Sequence, residues 1–340
     1  MDMISFGSVF LELVFGHVPA LPGPGEEVYT DEFAVSCGGA VTSASAAARA
    51  GAQAGLCTVL GDDLGSGVVA EFCAGLGVDL TFSRRVQRPS AGITVVLNFD
   101  GDRAFVTHNP PRPPGEQSEV RRWLGVLRSS APRWAYLHGG AGVPEVLRQA
   151  RAQGTQTVLD VSLGDEQHMR DQVIECVRLA DLFVPNEAEI QRLTGTASTE
   201  AAVAAAAAWG TTMVITRGAR GALIAGPDGV TEVSDGVRQV TVRDLTGAGD
   251  NFAGAMIGAL VQGMPLPRAA AEANAAAAES VTRPGAVGEV EVAGFSSASR
   301  TAGALVAEQL AVAAVQSAVA AIAGQQDDRD RTADEQAAGN

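Results

Sequence analysis

Lysine is absent from this 340-residue sequence, and all 24 of its basic residues are arginine. This absence excludes several kinds of site. A P-loop of the GxxxxGK[ST] type and the strand lysine of protein kinases both use a lysine to hold phosphates. Schiff-base catalysis needs a lysine amine as its nucleophile.

Cysteine and histidine are also scarce, with four of each. The cysteines form no CxxC pair and the histidines lack ligand spacing, so we expect reduced thiols and no zinc site. No apolar run is long enough to span a membrane. The first residues lack the positive charge and the cleavage site of a secretory signal, which predicts a cytoplasmic protein.

Acidic residues outnumber basic ones by 39 to 24, giving a formal net charge of −15. This balance argues against nucleic acid or an anionic membrane surface as the main partner. Hydrophobic residues make up 46% of the chain, enough for a sizeable core, and the length allows one large domain or two ordinary ones.

The stretch 241–260 gives the strongest indication of a site. A β-like run at 237–242 precedes a small-residue turn at 246–249. A helix is predicted from Asp250 onward, because apolar residues recur at three-and-four spacing from Phe252. The free N–H groups and the positive dipole end at such a helix start suit an anion, above all a phosphate.

Asp250 lies at the start of this predicted helix, and its carboxylate has two interpretations. It could cap the helix by accepting backbone N–H bonds. It could instead accept the proton of a hydroxyl group that attacks a bound phosphate.

Strands and helices alternate along most of the chain. The predicted strands of the main body are 4–14, 53–61, 134–138, 157–161, 182–184, 213–216 and 222–225. This alternation indicates an α/β fold whose mostly parallel sheet is covered on both faces. Two further strands, 93–97 and 104–108, flank the hairpin signal Asp100-Gly101 and predict a small projecting sheet.

Several short motifs have both a structural and a functional interpretation. Gly38-Gly39 precedes an alanine-rich helix, either as a tight turn or for close approach to a ligand. Asn186 could cap a helix, or Glu189 could lie near a cation. The segment 216–221 is either a simple hairpin or a nucleotide contact, and 65–70 fits a variant GxGxxA dinucleotide fingerprint.

Taken in order, these motifs resemble those of the ribokinase-like, or PfkB, carbohydrate kinases from about residue 4 to 295. The stretch DLTGAGDNFAGAMIGAL resembles the second family signature, and Gly38-Gly39-Ala40 resembles its di-glycine motif. Gly61 to Gly65 is similar to its G-x-D-x-x-G motif but one residue shorter, and this similarity removes the dinucleotide interpretation. Residues 186–189, 216–221 and 280–286 are similar to its N-x-x-E, T-x-G-x-x-G and C-terminal motifs.

The resemblance implies a three-layer αβα sandwich with a small β-sheet lid that includes 92–108. It also implies transfer of the γ-phosphoryl group of ATP to a hydroxymethyl group of a sugar or sugar-like small molecule. Asp250 would be the catalytic base. Gly247, Ala248 and Gly249 would form the anion hole for the developing phosphate charge.

The resemblance also implies the binding residues. Glu189 would hold Mg²⁺ through water, and Asp244 and Thr246 would hold a monovalent cation such as K⁺. The nucleotide and the acceptor would each have their own set of residues. Asn186, Thr216, Gly218, Gly221 and Asn274 would bind the nucleotide, and Glu12, Gly38, Gly39 and Ser43 the acceptor.

The acceptor side departs from the family pattern at two positions. Glu12 stands where the family usually has Asp, and Ser43 where the di-glycine motif normally leads to Asn. A nucleoside kinase and a catalytically silent ligand-binding protein therefore stay open as alternatives. The lid either closes alone or also forms a homodimer contact.

Three segments are predicted from composition and the resemblance. Residues 1–295 form the kinase domain, and 296–323 form an alanine-rich helical extension. The polar composition of 324–340 predicts a disordered tail.

Overall fold

A computed structural model describes residues 1–99, 102–111, 119–161 and 170–290. Its centre is an eight-stranded sheet in the order β14-β13-β12-β11-β10-β9-β1-β4. The strands are β1 (Met3–Phe6), β4 (Ala54–Cys57), β9 (Trp134–His138), β10 (Gln156–Asp160), β11 (Leu182–Phe183), β12 (Thr212–Thr216), β13 (Ala222–Gly226) and β14 (Gly229–Val233). The pairings from β4 to β12 are parallel, and the last two are antiparallel.

Helices cover both faces of this sheet. One face carries α1 (Ala40–Arg49), α8 (Ala248–Val261) and α9 (Leu266–Ser280). The other carries α3 (Glu119–Ser130), α4 (Val143–Ala152), α5 (Arg170–Leu179), α6 (Glu187–Thr194) and α7 (Thr199–Ala206). Each face has its own apolar core because successive strand side chains point to opposite faces. The predicted α/β sandwich is thus confirmed.

A second sheet has four strands in the order β3-β2-β7-β8. They are β2 (Val9–Gly16), β3 (Glu32–Gly39), β7 (Gly92–Phe99) and β8 (Asp102–His108). Helix α2 (Leu64–Leu76) packs against β2, and the short strands β5 (Val59–Leu60) and β6 (Arg84–Arg85) pair beside it. The small sheet predicted around 92–108 is therefore present, with two more strands than expected.

The predicted single strand 4–14 is wrong. The chain breaks at Gly7-Ser8, so that β1 lies in the large sheet and β2 in the small one. The apolar character is continuous because both strands are buried, which hides the change of sheet. As a result, Glu12 lies on the small sheet and not on the first strand of the main body.

Three other predictions have different outcomes. The run 237–242 is not a strand, and the helix predicted from Asp250 begins two residues earlier, at Ala248. The Asp100-Gly101 turn and the segments 296–323 and 324–340 lie outside the described residues. Among the residues that are described, no helix is both long and apolar enough to cross a membrane.

Candidate active site

Two neighbouring strands end in polar side chains at the carboxyl edge of the large sheet. His138 is the last residue of β9 and Asp160 the last of β10, and the two are in register. Tyr136, two residues before His138, points to the face covered by α8. Asp250 is the third residue of α8. These four side chains therefore meet where the helix begins.

The Tyr136 hydroxyl oxygen lies 2.7 Å from Asp250 Oδ1 and 2.8 Å from Asp160 Oδ2. His138 Nε2 lies 3.4 Å from the same oxygen of Asp250. The hydroxyl has one proton, so it donates to one carboxylate at a time. The capping interpretation of Asp250 is wrong, because no side chain among the described residues caps α8 and the carboxylate contacts Tyr136 and His138 instead.

Charges within this cluster shift the protonation of its members. Burial alone would lower the pKa of His138, but the hydrogen bond and charge of Asp250, with Asp160 and Glu189, raise it to about 9. Burial, together with the charge of Asp250, raises the pKa of Asp160 to about 6 despite the opposing charge of His138. At neutral pH, His138 is therefore a cation beside the Asp250 carboxylate.

Glu189 belongs electrostatically to the same site. Burial and the charge of Asp160 raise the pKa of its carboxyl group to about 7. The structure also confirms the cap at Asn186: its Oδ1 accepts from Glu189 N at 2.9 Å, and Glu189 Oε2 accepts from Asn186 N at 2.7 Å. This capping box fixes the Glu189 carboxyl group on the side of the cluster.

The glycine turn leaves the start of α8 open. Gly247, with φ of 69°, is the N-cap residue, and a Cβ there would lie 2.5 Å from Ala286 Cβ. A Cβ at Gly249 would have no heavy atom within 4 Å among the described residues. The backbone at Gly249 thus borders open space in the first turn of the helix, one residue before Asp250, a position suited to a phosphate.

The predicted nucleotide residues lie along the next strands. Thr216 ends β12 and its N–H donates to Pro185 O at 2.9 Å, which places it beside Asn186. Gly218 and Gly221 form the turn between β12 and the antiparallel β13, so the hairpin is confirmed. Asn274 is buried in α9, and its Nδ2 donates to Val233 O and Asp235 O.

Glu12 lies on β2 with only 5% of its surface exposed. Its Oε2 accepts from Ala286 N at 2.8 Å. Burial, and to a lesser extent the charges of Asp244 and Asp250, raise the pKa of its carboxyl group to about 7. This predicted acceptor residue is thus part of the buried wall beside the base.

The other predicted acceptor residues surround the start of α1. A Cβ at Gly38 would collide with the Glu12 carboxylate, and Gly39, with φ of 78°, is the N-cap residue of the helix. Ser43 is fully buried, and its Oγ lies 2.9 Å from Ser5 Oγ. The structure therefore does not bring Ser43 to the surface of the cleft, and its role stays a prediction.

Asp244 and Thr246 lie in a buried loop next to the turn. Asp244 accepts from Thr246 N at 2.8 Å and from Gly285 N at 2.7 Å. The hydroxyl oxygen of Thr246 is buried and has no hydrogen-bond partner among the described residues. An oxygen of this kind beside a carboxylate is suited to binding a cation.

Tyr136, His138 and Asp160 were not predicted as site residues. Both strands were predicted, however, and each ends in a polar side chain after a buried apolar run. In open α/β sheets, ligands bind outside the carboxyl ends of the strands. That rule, applied to β9 and β10, is the signal that would have found them.

The comparison with known families agrees with this arrangement. The profile of the pfkB family carbohydrate kinases matches residues 3–292. The chain belongs to this family. It is therefore a carbohydrate kinase, and the matched segment contains every site residue described above.

Individual pfkB-family proteins are more distant. A ribokinase of Haemophilus influenzae is 28% identical over 278 residues, covering 79% of this chain and 89% of that protein. A ribokinase II candidate of Escherichia coli, solved with ATP and Mg²⁺, has 22% identity and a TM-score of 0.72 over 85% of this chain and 96% of its own. A fructokinase of Vibrio cholerae O395, in a form with fructose, ADP and potassium ion bound, has 22% identity and a TM-score of 0.67, covering 84% of this chain and 94% of that one. These two structures support the shared fold.

Proposed function

We propose that the protein is an ATP-dependent kinase that phosphorylates a hydroxymethyl group of a sugar or sugar-like small molecule. The observation that carries this proposal is the position of Asp250, beside the open start of α8 and next to His138. A hydroxyl group held against Asp250 would lose its proton to the carboxylate. Its oxygen would then attack the γ-phosphorus of ATP at the glycine turn 247–249, the bond from that phosphorus to the β-phosphate oxygen would break, and ADP would leave.

The surrounding residues have separate parts in this mechanism. The Tyr136 hydroxyl and the His138 cation hold Asp250 in place. Glu12 and the residues at the start of α1 form the wall on which the acceptor would lie. We place the nucleotide beside the ends of β11 and β12, away from Glu12. The residues that would bind it are Asn186, Thr216, Gly218, Gly221 and Asn274.

The chemistry of the carboxylates fits Mg²⁺. Burial raises the pKa of Glu189, and the charge of Asp160 adds to that rise, so the two carboxyl groups repel one another. A divalent cation would relieve that repulsion, and Glu189 would hold it through water. When bound, Mg²⁺ would neutralise charge on the nucleotide phosphates. The partnerless Thr246 hydroxyl with Asp244 fits K⁺.

Replacement of the base tests the proposal. Asp250→Asn should lower kcat about 10²- to 10⁴-fold, the usual contribution of a positioned base, because the amide cannot accept the proton. Binding of ATP, followed by titration calorimetry, should change little. Asp228→Asn, on an exposed turn, is the control.

A coupled assay of ADP release over neutral, acidic and phosphorylated sugars and over nucleosides would identify the acceptor. Turnover by Asp250→Asn close to that of the wild type would contradict the role of the base. If only nucleosides cause ADP release, the acceptor is a nucleoside and the protein is a nucleoside kinase.

We also propose that the small sheet acts as a lid over the site. The same sheet would form a homodimer contact. We further propose that the protein is cytoplasmic. Strand β8 lies at the edge of this sheet, and Phe105 and Val106 on it are 48% and 53% exposed. An edge strand with apolar side chains is a common pairing surface. The four buried free thiols fit a reducing compartment.

A further inference from the structure

A cavity of about 240 Å³ lies between the small sheet and the carboxyl edge of the large one. Its described lining includes three arginines, Arg84, Arg88 and Arg122, and one acidic residue, Glu119. Among the described lining residues, three positive charges stand against one negative charge, although the whole chain carries a net charge of −15. Cationic cavities concentrate anions.

The arginines are held in place by neighbouring elements. Arg84 lies on β6, and its backbone N–H donates to the backbone oxygen of Thr58 at 2.9 Å. The loop that carries Arg88 is fixed by Asp63, whose Oδ2 accepts from Ser90 N at 2.8 Å. Asp63 belongs to the G-x-D-x-x-G motif, so this motif helps to position a cavity residue.

Arg122 projects from α3 and donates from Nη1 to Phe82 O at 2.8 Å. Its Nε and Nη2 atoms are buried and have no hydrogen-bond partner among the described residues. Leaving buried guanidinium N–H groups without an acceptor is unfavourable. The planar guanidinium of Arg122, a cavity-lining residue, matches carboxylate and phosphate oxygens well.

The cavity lies within reach of the reacting groups. Strand β1 lies between β9 and β4 in the sheet, and parallel strands present their carboxyl ends at the same edge. His138 ends β9, Ser8 follows β1 and Thr58 follows β4, and both Ser8 and Thr58 line the cavity. Two strand spacings separate His138 from Thr58 along the edge, about 10 Å. A five- or six-carbon acceptor with an acid group is of comparable length.

We propose that this cavity binds the anionic group of the acceptor, a carboxylate or a phosphate, while the opposite hydroxymethyl end lies at Asp250. The inference rests on the proposed kinase function and narrows the acceptor to a sugar acid or a sugar phosphate. The arginines of the cavity then bind the anionic end of the acceptor, and Asp250 contacts its hydroxymethyl end.

Steady-state kinetics test this subsite. We expect turnover of five- and six-carbon aldonates or of sugar monophosphates with a free hydroxymethyl group, and a much weaker response to neutral sugars. The aldonate and phosphate arms distinguish the two anions. In Arg88→Gln, KM for the anionic acceptor should rise about tenfold to a hundredfold, the equivalent of one charge-assisted hydrogen bond. KM for ATP should stay unchanged.

Arg85→Gln is the matched control, because Arg85 is an exposed arginine on β6, three residues before Arg88, and does not line the cavity. Binding is measured independently of turnover by calorimetric titration of gluconate, glucose 1-phosphate and sorbitol. The wild type and both variants are titrated with a non-hydrolysable ATP analogue and Mg²⁺ present. We expect at least one of the two anions to bind more tightly than sorbitol and to lose affinity only in Arg88→Gln.

The outcomes separate this inference from the kinase function. If neutral sugars are phosphorylated as efficiently as the anionic ones, the kinase function stands and the subsite is wrong. If Arg88→Gln binds both anions as tightly as the wild type, or if neither binds, the subsite is again wrong. If binding depends on Arg88 but no acceptor yields product, the subsite stands and the proposed phosphoryl transfer to a hydroxymethyl group fails.

Discussion

Glu189 combines a structural and an electrostatic part in one side chain. It closes the capping box of α6 with Asn186, and the negative charge of Asp160 raises the pKa of its carboxyl group further than burial alone does. The capping box needs only a side-chain oxygen, which glutamine also provides. Binding of a divalent cation needs the negative charge. The two parts can therefore be separated by substitution.

We predict that Glu189→Gln keeps the thermal midpoint of the wild type but needs a higher Mg²⁺ concentration for half-maximal activity. Glu189→Ala should show the same loss of Mg²⁺ affinity and should also lower the free energy of unfolding by about 1 kcal/mol, the usual cost of a lost cap. Activity is measured against Mg²⁺ concentration and stability by urea unfolding. If Glu189→Gln and the wild type need the same Mg²⁺ concentration, Glu189 caps the helix but does not contribute to Mg²⁺ binding.

At the scale of elements, the contact between α1 and α8 determines where the open helix start lies. A Cβ at Gly254 would collide with the carbonyl oxygen of Ser43 and would lie 2.8 Å from Ala46 Cβ. A Cβ at Gly258, one turn later, would lie 2.5 Å from Ala50 Cβ. Glycine at these positions lets the two helices approach closely, and Thr42 near the start of α1 lies against Gly247 of the turn.

Gly254→Ala should therefore lower the free energy of unfolding by about 1–3 kcal/mol, as overpacking of a core usually does. It should also lower activity, because α8 must shift away from α1. Gly67→Ala is the matched control: Gly67 lies in α2, and an added Cβ would touch nothing within 4 Å. That variant should gain about 0.4–1 kcal/mol, since alanine restricts the unfolded chain. Both values come from urea unfolding, and equal effects would contradict the close helix contact.

Local patterns were sufficient to predict most elements but not their convergence. The glycine turn, α8 and the strands β9 to β13 were predicted, because each depends on periodicity or turn residues within a short window. The meeting of Tyr136, Asp160 and Asp250 depends on strand order and on the face that each strand presents to α8. The change of sheet at Gly7-Ser8 was also missed, since burial makes both strands apolar.

At the scale of the whole molecule, several site groups hold protons more tightly in the folded state. Burial raises the pKa of Glu12 from 4.5 to about 7, and of Glu189 likewise to about 7, while the neighbouring carboxylates raise that of His138 from 6.5 to about 9. A group whose pKa is higher in the folded state stabilises the fold below its unfolded pKa. That stabilisation is lost as the pH rises through the folded value.

We therefore predict that these groups lower the free energy of unfolding of the ligand-free protein as the pH rises from about 4.5 to 9. Glu12→Gln should flatten the part of this decrease between pH 4.5 and about 7, because glutamine still accepts from Ala286 N but does not ionise. Urea unfolding at a series of pH values measures the slope, and the exposed Asp228→Asn is the control. An unchanged slope in Glu12→Gln would show that Glu12 does not titrate in this range.

Hydrogen bonds join the small sheet to the loop 281–290, which follows α9. They connect the proposed acceptor site with the proposed phosphate site. Glu12 and Val35 accept from the N–H groups of Ala286 and Val290, and the Ser36 hydroxyl donates to Gly288 O. Ala286 in turn packs against Gly247 at the phosphate turn. An acceptor that tilts the small sheet would thus pull on the loop that supports the phosphate. Affinities for acceptor and nucleotide are therefore expected to be thermodynamically coupled, each ligand changing the other's dissociation constant by the same factor.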